Sequence, residues 1–365
     1  MKGRCSMNRS VLRWILVALM AVSLLFTLSC PYAAEAEAAE EAVSAAPSLP
    51  LDITLGGSPM DPAGWVFDGA NGKNAPTSYE DSTIRVTFQK STLSHQLVSG
   101  SHKGKKVKDD TWIVRVRIGD VSQFRTAVAK DSMKKGAAGS IESIAFSKNA
   151  VVAMNGDFFK YENDVGYVVR QGELIRDKSG NRRHYFDMLL VDSAGDFHVV
   201  YDAETKKIDE YVAENLTPLG RTILHTFNFG PVLVVNGEAQ DVSVSGIAKQ
   251  GLWQWSTPIA RTAIVQTGPL EYAFVTFDGH GAQTSGCTMQ EFADFIAENV
   301  PDAIIAYNMD GGGSAQLYAP KMPSEDKKTG LLTIKKGQKV FEGDGARELG
   351  DIVYFASALP APEED

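Results

Sequence analysis

Ala303 to Pro320 reads "AIIAYNMDGGGSAQLYAP". An apolar run enters three glycines, and a second run of strand-forming residues leaves them, so the pattern is strand, turn, strand. That reading decides the fold class. A dinucleotide-binding α/β domain needs an amphipathic helix after such glycines, and here a strand follows Gly313. No Lys-Ser/Thr follows, so this is not a phosphate-binding P-loop. Ser314 lacks the second flanking Gly of a nucleophile elbow. What remains is a strand-end carboxylate, Asp310, beside backbone free to turn sharply or to approach a ligand closely.

Outward from this run the pattern stays mostly β. "TWIVRVRIGD" (Thr111 to Asp120) alternates apolar and basic residues as a half-buried strand does. "NAVVAMNGDFF" (Asn149 to Phe159) is an apolar strand ending in a polar turn. Hairpins are expected at Gln171-Gly172, at Ser193 to Asp196, at Asn236-Gly237 and at Thr267 to Pro269. Helices are few. "SIESIAFSKN" is a short one, and "TMQEFADFIAENV" carries a capping box, Thr288 with Glu291, above an apolar face of Phe292, Phe295 and Ile296. The expectation is α+β, with a large mixed β-sheet core and few helices in one strand-rich catalytic domain.

The composition, 44% hydrophobic and 22% charged, excludes a disordered chain and a polytopic membrane protein. Lys2, Arg4, Arg9 and Arg13 precede the apolar "WILVALMAVSLLF", and small residues follow. Residues 1–34 therefore read as a signal peptide cleaved after Ala34 or Ala36, or as an N-terminal membrane anchor. "TLSC" ending at Cys30 is reminiscent of a lipidation box, but Thr27 stands where Leu is usual. Residues 35–79 read as a linker and N-terminal extension, docked by Trp65 and Phe67; 80–358 as the catalytic domain; 359–365 as a tail. The expected location is extracytoplasmic, secreted or anchored, with membrane contact only through the N-terminus.

Loss of residues 1–34 would move the formal charge from −9 to −13. So acidic a chain lacks the cationic surface that drives nucleic-acid affinity. The basic run His102 to Lys108 reads as a solvated loop or hairpin tip. Beyond the export segment Cys287 is the one cysteine, so no internal disulfide is available.

Four segments carry the candidate chemistry. In "NGDFF", Asn155 and Asp157 close a buried strand, although Asn-Gly-Asp is also ordinary turn chemistry. Arg261 stands inside the apolar "PIARTAIVQ" and must either face outward or find a partner. "FDGHGAQTSGCTMQEFADF" places Asp278 and His280 on a Gly-rich loop, then Gly286, Cys287 and Thr288 at a helix start suited to an anion. Glu291 is explained by capping alone, and Cys287 reads either as a packed small residue or as a nucleophile beside His280. The fourth segment is the opening run, with Asn308, Asp310, Gly311, Gly312, Gly313 and Ser314.

Together these motifs, with "FGPVLVVNGE" and the late Arg347 in "GAREL", resemble the phosphodiester glycosidase family over roughly Asp110 to Phe355. The resemblance implies cleavage of the glycosidic bond of a sugar-1-phosphodiester, releasing sugar and a phosphate monoester. An exported chain of this kind would act on envelope, capsule or exopolysaccharide glycans. The chemistry implied is an oxocarbenium-like transition state with charge growing on a phosphate. Arg261 or Arg347, with N–H groups near Gly286 and Thr288, would hold that phosphate. Asp310, then Asp157, would attack the anomeric carbon or activate water, with Asn155 and Asn308 orienting hydroxyls. No cofactor is required by this scheme, and a divalent cation stays open. So do two other classes: a metal-assisted phosphodiesterase cutting P–O, and a non-catalytic envelope-glycan binding module.

Overall fold

The computed structural model describes residues 46–132, 136–157, 166–178, 187–203, 205–249, 251, 255–279, 284–345 and 347–360. The chain divides into units 1–44 and 45–365, and the description concerns the second. The expected export segment and His280 lie outside the described residues.

In chain order, β1 (Trp65–Val66) and β2 (Ser78–Glu80) lead into a long hairpin of β3 (Ile84–Gln96) and β4 (Lys106–Ile118). These two strands pair along their full length, and the basic run forms the exposed tip between them. Then come β5 (Phe124–Val128), α1 (Ile141–Ser147), β6 (Ala150–Asn155) and the hairpin β7 (Gly166–Arg170) with β8 (Glu173–Lys178). Next are β9 (Met188–Asp192), β10 (Phe197–Val200) and α2 (Thr205–Tyr211), which runs on into a π-turn at Val212–Leu216. β11 (Ile223–Phe227), β12 (Val232–Val235), β13 (Glu238–Ala239) and the short α3 (Gly246–Lys249) follow. The C-terminal part holds β14 (Arg261–Gly268), β15 (Glu271–Phe277), α4 (Met289–Asn299), β16 (Ile305–Asn308) and β17 (Gln316–Pro320). The small pair β18 (Ser324–Glu325) and β19 (Leu332–Thr333) precedes β20 (Gly337–Glu342) and β21 (Asp351–Ala356).

The architecture is strand-rich and α+β, as the pattern indicated. Every strand pairing among the described residues is antiparallel. A nine-stranded sheet runs β1-β2-β3-β4-β15-β14-β16-β12-β13, and a five-stranded sheet runs β20-β17-β6-β21-β5. The main core lies between them: Val86, Phe88, Trp112, Val114, Phe274 and Tyr307 from the first meet Phe124, Met154, Leu317 and Phe355 from the second. The period-2 pattern explains this, because Trp112, Val114, Val116 and Ile118 share one face while Arg115 and Arg117 take the other. Trp65 and Tyr79 join the same core, and Phe67 packs on it, which ties the N-terminal extension down.

The other face of the large sheet is covered by α4. Its Met289, Phe292, Ala293 and Ile296 pack on Ala263, Val265, Ala273 and Val275. Complete burial of a side chain such as Phe292 contributes roughly 2 kcal/mol. The helix starts where the sequence says it should, since Thr288 and Glu291 form both hydrogen bonds of the capping box. The smaller sheet is backed by α1 through Ile141, Ile144 and Ala145. The functional candidates collect at the strand ends between these layers.

Candidate active site

Asp310 follows β16 directly and is nearly buried. Its backbone carbonyl is held from both sheets. Asn155 Nδ2 donates to it at 2.7 Å from the end of β6, and Thr262 Oγ1 donates at 2.9 Å from β14. Asn155 Oδ1 accepts from the Gln316 N–H at 3.2 Å, so its amide spans the gap between Asp310 and β17. Asn155 is thereby a positioning residue for Asp310.

The Asp310 carboxylate faces Arg347, whose Nη2 lies 3.4 Å from Oδ2 and whose Nε donates to Ser314 Oγ at 2.7 Å. The Arg347 side chain is 40% exposed against 10% for Asp310, so the pair is reached from solvent on the arginine side. Ser314 is therefore a contact of Arg347. The Arg347 N–H also donates to the Gly313 carbonyl at 3.0 Å, joining "GAREL" to the glycine run.

The glycines do permit close approach, but to the chain's own backbone. A Cβ on Gly311 would stand 2.7 Å from the Ala260 carbonyl oxygen, and one on Gly313 2.8 Å from that of Asp344. A Cβ on Gly286 would meet the Ile259 carbonyl at 2.6 Å, one on Gly279 would strike the Ala260 nitrogen, and one on Gly343 would meet Ala260 Cβ at 2.5 Å. Four separate segments thus close on the two residues that lead into β14. Gly286 also has φ +92°, a region that side chains rarely enter. Gly312 differs: at φ +59° it faces open space.

The second carboxylate is placed differently. Asp157 Oδ1 accepts from Arg170 Nη2 at 2.7 Å, and Oδ2 from the Asn228 N–H at 2.7 Å. Both oxygens are engaged and the side chain is nearly buried. Arg170 Nη2 also reaches Asp351 Oδ2 at 3.4 Å, and its guanidinium lies over the Phe227 ring at 5.0 Å. The motif reading missed Arg170 and Asp351, although Arg170 immediately precedes the recognised Gln171-Gly172 turn and Asp351 opens the strand "DIVYF".

Burial first, then the neighbouring Asp157 carboxylate, push Asp351 up to about 7, while Arg170 pulls the other way. With one proton on this pair the buried cluster is neutral, because Arg170 balances a single carboxylate. A raised carboxyl in the folded state binds a proton that the unfolded chain has already released near pH 3.8. Its contribution is full below that value and is lost as pH rises towards about 7. Asp351→Asn is therefore expected to flatten the fall in stability across that window. Urea unfolding at the two ends of the window, for both proteins, measures it.

Arg261 is buried, with Nε donating to the Cys287 carbonyl at 3.2 Å and Nη2 to that of Thr257 at 2.9 Å. Burial lowers its guanidinium to about 10. Of the two arginines considered for phosphate, Arg347 is thus the accessible one. The helix-start donors are engaged too. The Gly286 N–H donates to Asp109 at 2.8 Å, and the Thr288 N–H to Glu291 at 2.9 Å. The Cys287 thiol is buried and burial pushes it well up, which makes it a packed residue and a poor nucleophile. Asp278, directly after β15, accepts from the Gly279 N–H at 2.6 Å. Asn308 Nδ2 donates to the Gly230 carbonyl at 2.8 Å, and its buried Oδ1 lacks a partner among the described residues. Among the described residues no three His, Cys, Asp or Glu side chains converge as a metal site.

The family model described as phosphodiester glycosidase matches residues 148–356, more than half of the chain. Among solved structures the chain is similar to the zebrafish N-acetylglucosamine-1-phosphodiester alpha-N-acetylglucosaminidase catalytic domain, auto-inhibited by its pro-peptide. The TM-score is 0.52 at 15% identity, covering 75% of this chain and 88% of that one. That likeness concerns the fold. A hypothetical protein from Synechocystis follows at TM-score 0.44 and 14% identity, covering 77% of this chain and 64% of its own, and carries no argument. No curated protein matches the chain.

Proposed function

We propose a function on one premise: the chain belongs to the phosphodiester glycosidase family. It is an exported hydrolase that cleaves the glycosidic bond of a sugar-1-phosphodiester in envelope, capsule or exopolysaccharide glycans. The observation that carries this reading is the pair Asp310 and Arg347, a nearly buried carboxylate beside a solvent-reached guanidinium. Such a pair supplies the two things the reaction needs. The carboxylate meets positive charge growing at the anomeric carbon, or activates the water that attacks it. The guanidinium binds the departing phosphate as negative charge develops there. Asp310 leads Asp157 in this scheme because Asp157 already spends both oxygens within the fold. Asn308 Oδ1 serves as acceptor for a sugar hydroxyl.

Hydrolysis of a panel of sugar-1-phosphodiesters in isotope-labelled water tests the reading, run with and without a chelator. Label in the released sugar is expected; label in the phosphate would make the enzyme a phosphodiesterase. Arg347→Ala is expected to raise KM for a phosphodiester by about 10- to 100-fold, the worth of a charge-assisted contact. An aryl glycoside of the same sugar, lacking phosphate, should be hydrolysed equally by both proteins. An equal loss on the aryl glycoside would mean that Arg347 serves Asp310 alone.

A further inference from the structure

A cavity of about 360 Å³ lies between the β3–β4 hairpin, the end of β15 and the outer face of α4. Three features of its walls act together. Glu291, Asp294 and Glu298 line it from the helix at the 3- and 4-residue spacings that share one face, and no Lys or Arg is among its described lining residues. Phe277 stands edge-on to both Phe295 and His95, at 5.4 Å each, so three rings form a continuous wall. His95 is fixed by its Nε2 contact of 2.8 Å with Asp109.

Asp109 is a separate observation. It is fully buried, and its Oδ2 takes both His95 and the Gly286 N–H, but its Oδ1 has no partner among the described residues. A strand sets alternate residues on one face, so Asp109 shares the face of Thr111 and Ile113, both of which line the cavity. Leaving a buried carboxylate oxygen unpaired is costly, and Asp109 stands directly behind the lining residue His95 that contacts it. The three lining carboxylates and the Phe277 and Phe295 rings repel an anion and attract a cation, by charge and by the ring quadrupoles.

We propose that this cavity is a second ligand site, and that it takes a protonated amine carried on a ring-sized group. The site stands apart from the Asp310–Arg347 pair and does not depend on the glycosidase reading. Much of its wall comes from β3 and β4, which precede the residues matched by the family model.

The test is direct binding of D-glucosamine, glucose and N-acetylglucosamine to the full chain, in mildly acidic buffer of low ionic strength, by saturation-transfer NMR and calorimetry. The three share a pyranose ring and differ at C2, which carries an ammonium, a hydroxyl or a neutral acetamide. Glucosamine is expected to bind at least about tenfold more tightly than either neutral sugar, and to weaken as salt is added. Asp294→Asn with Glu298→Gln, both exposed positions, should lose about tenfold of that affinity without a change in melting temperature. Equal binding of glucose, no binding of glucosamine, or unchanged binding by the double variant would each overturn the proposal.

Discussion

Asp310→Asn is expected to lower turnover of a sugar-1-phosphodiester by about a thousandfold while leaving the melting temperature nearly unchanged. In barrier terms that is about 4 kcal/mol. The amide keeps the size of the side chain and removes its charge and basicity, the two properties the chemistry uses. The fold tolerates the change because Asn155 and Thr262 grip the backbone carbonyl of Asp310, which the substitution keeps. Steady-state kinetics paired with thermal melting measures both halves. Activity within a few-fold of the native protein would remove Asp310 from the mechanism and return attention to Asp278.

Arg170→Met is expected to destabilise the protein by about 3–5 kcal/mol, the cost of stranding a buried charge. The substitution removes the positive group between Asp157 and Asp351, together with its hydrogen bond to the Thr226 carbonyl and its contact with Phe227. Asp157 must then take up a proton or draw in water. Adding Asp157→Asn to Arg170→Met should recover part of the loss, because no unpaired carboxylate then remains at that position. Denaturant unfolding of the two singles and the double forms a cycle that isolates the interaction. Strict additivity would show that the guanidinium acts by filling space.

Much of the fold was legible because its strands state their faces. "TWIVRVRIGD" and the Asn236-Gly237 turn each obey one local rule, and the structure follows it. The partner strand β3 was harder to see. Its distal half, Ser91 to Gln96, lies at the exposed end of the hairpin and carries no alternation of burial. The π-turn after α2 has no sequence signature of its own. In the site, motifs pointed to strand-end carboxylates, but not to what holds them. Arg170 and Asp351 meet Asp157 from 13 and 194 residues away, pairings that only the folded sheets create. The glycines were read for their freedom near a ligand, and the structure shows them spending most of it on Ile259 and Ala260.

That convergence dictates an order of assembly. Segments near residues 279, 286, 311 and 343 can take their final shape only around a strand entry already in place. Secondary structure and much of the sheet can form before then, since hairpins such as β3–β4 are local in sequence. The Asp310–Arg347 pair is not local, because it needs Gly343 and Arg347 from near the end of the chain. A C-terminally truncated chain would lose Arg347 and also β21, which joins β5 to β6 in the five-stranded sheet. The geometry of the Asp310–Arg347 pair thus depends on contacts between segments far apart in sequence, gathered at one strand entry.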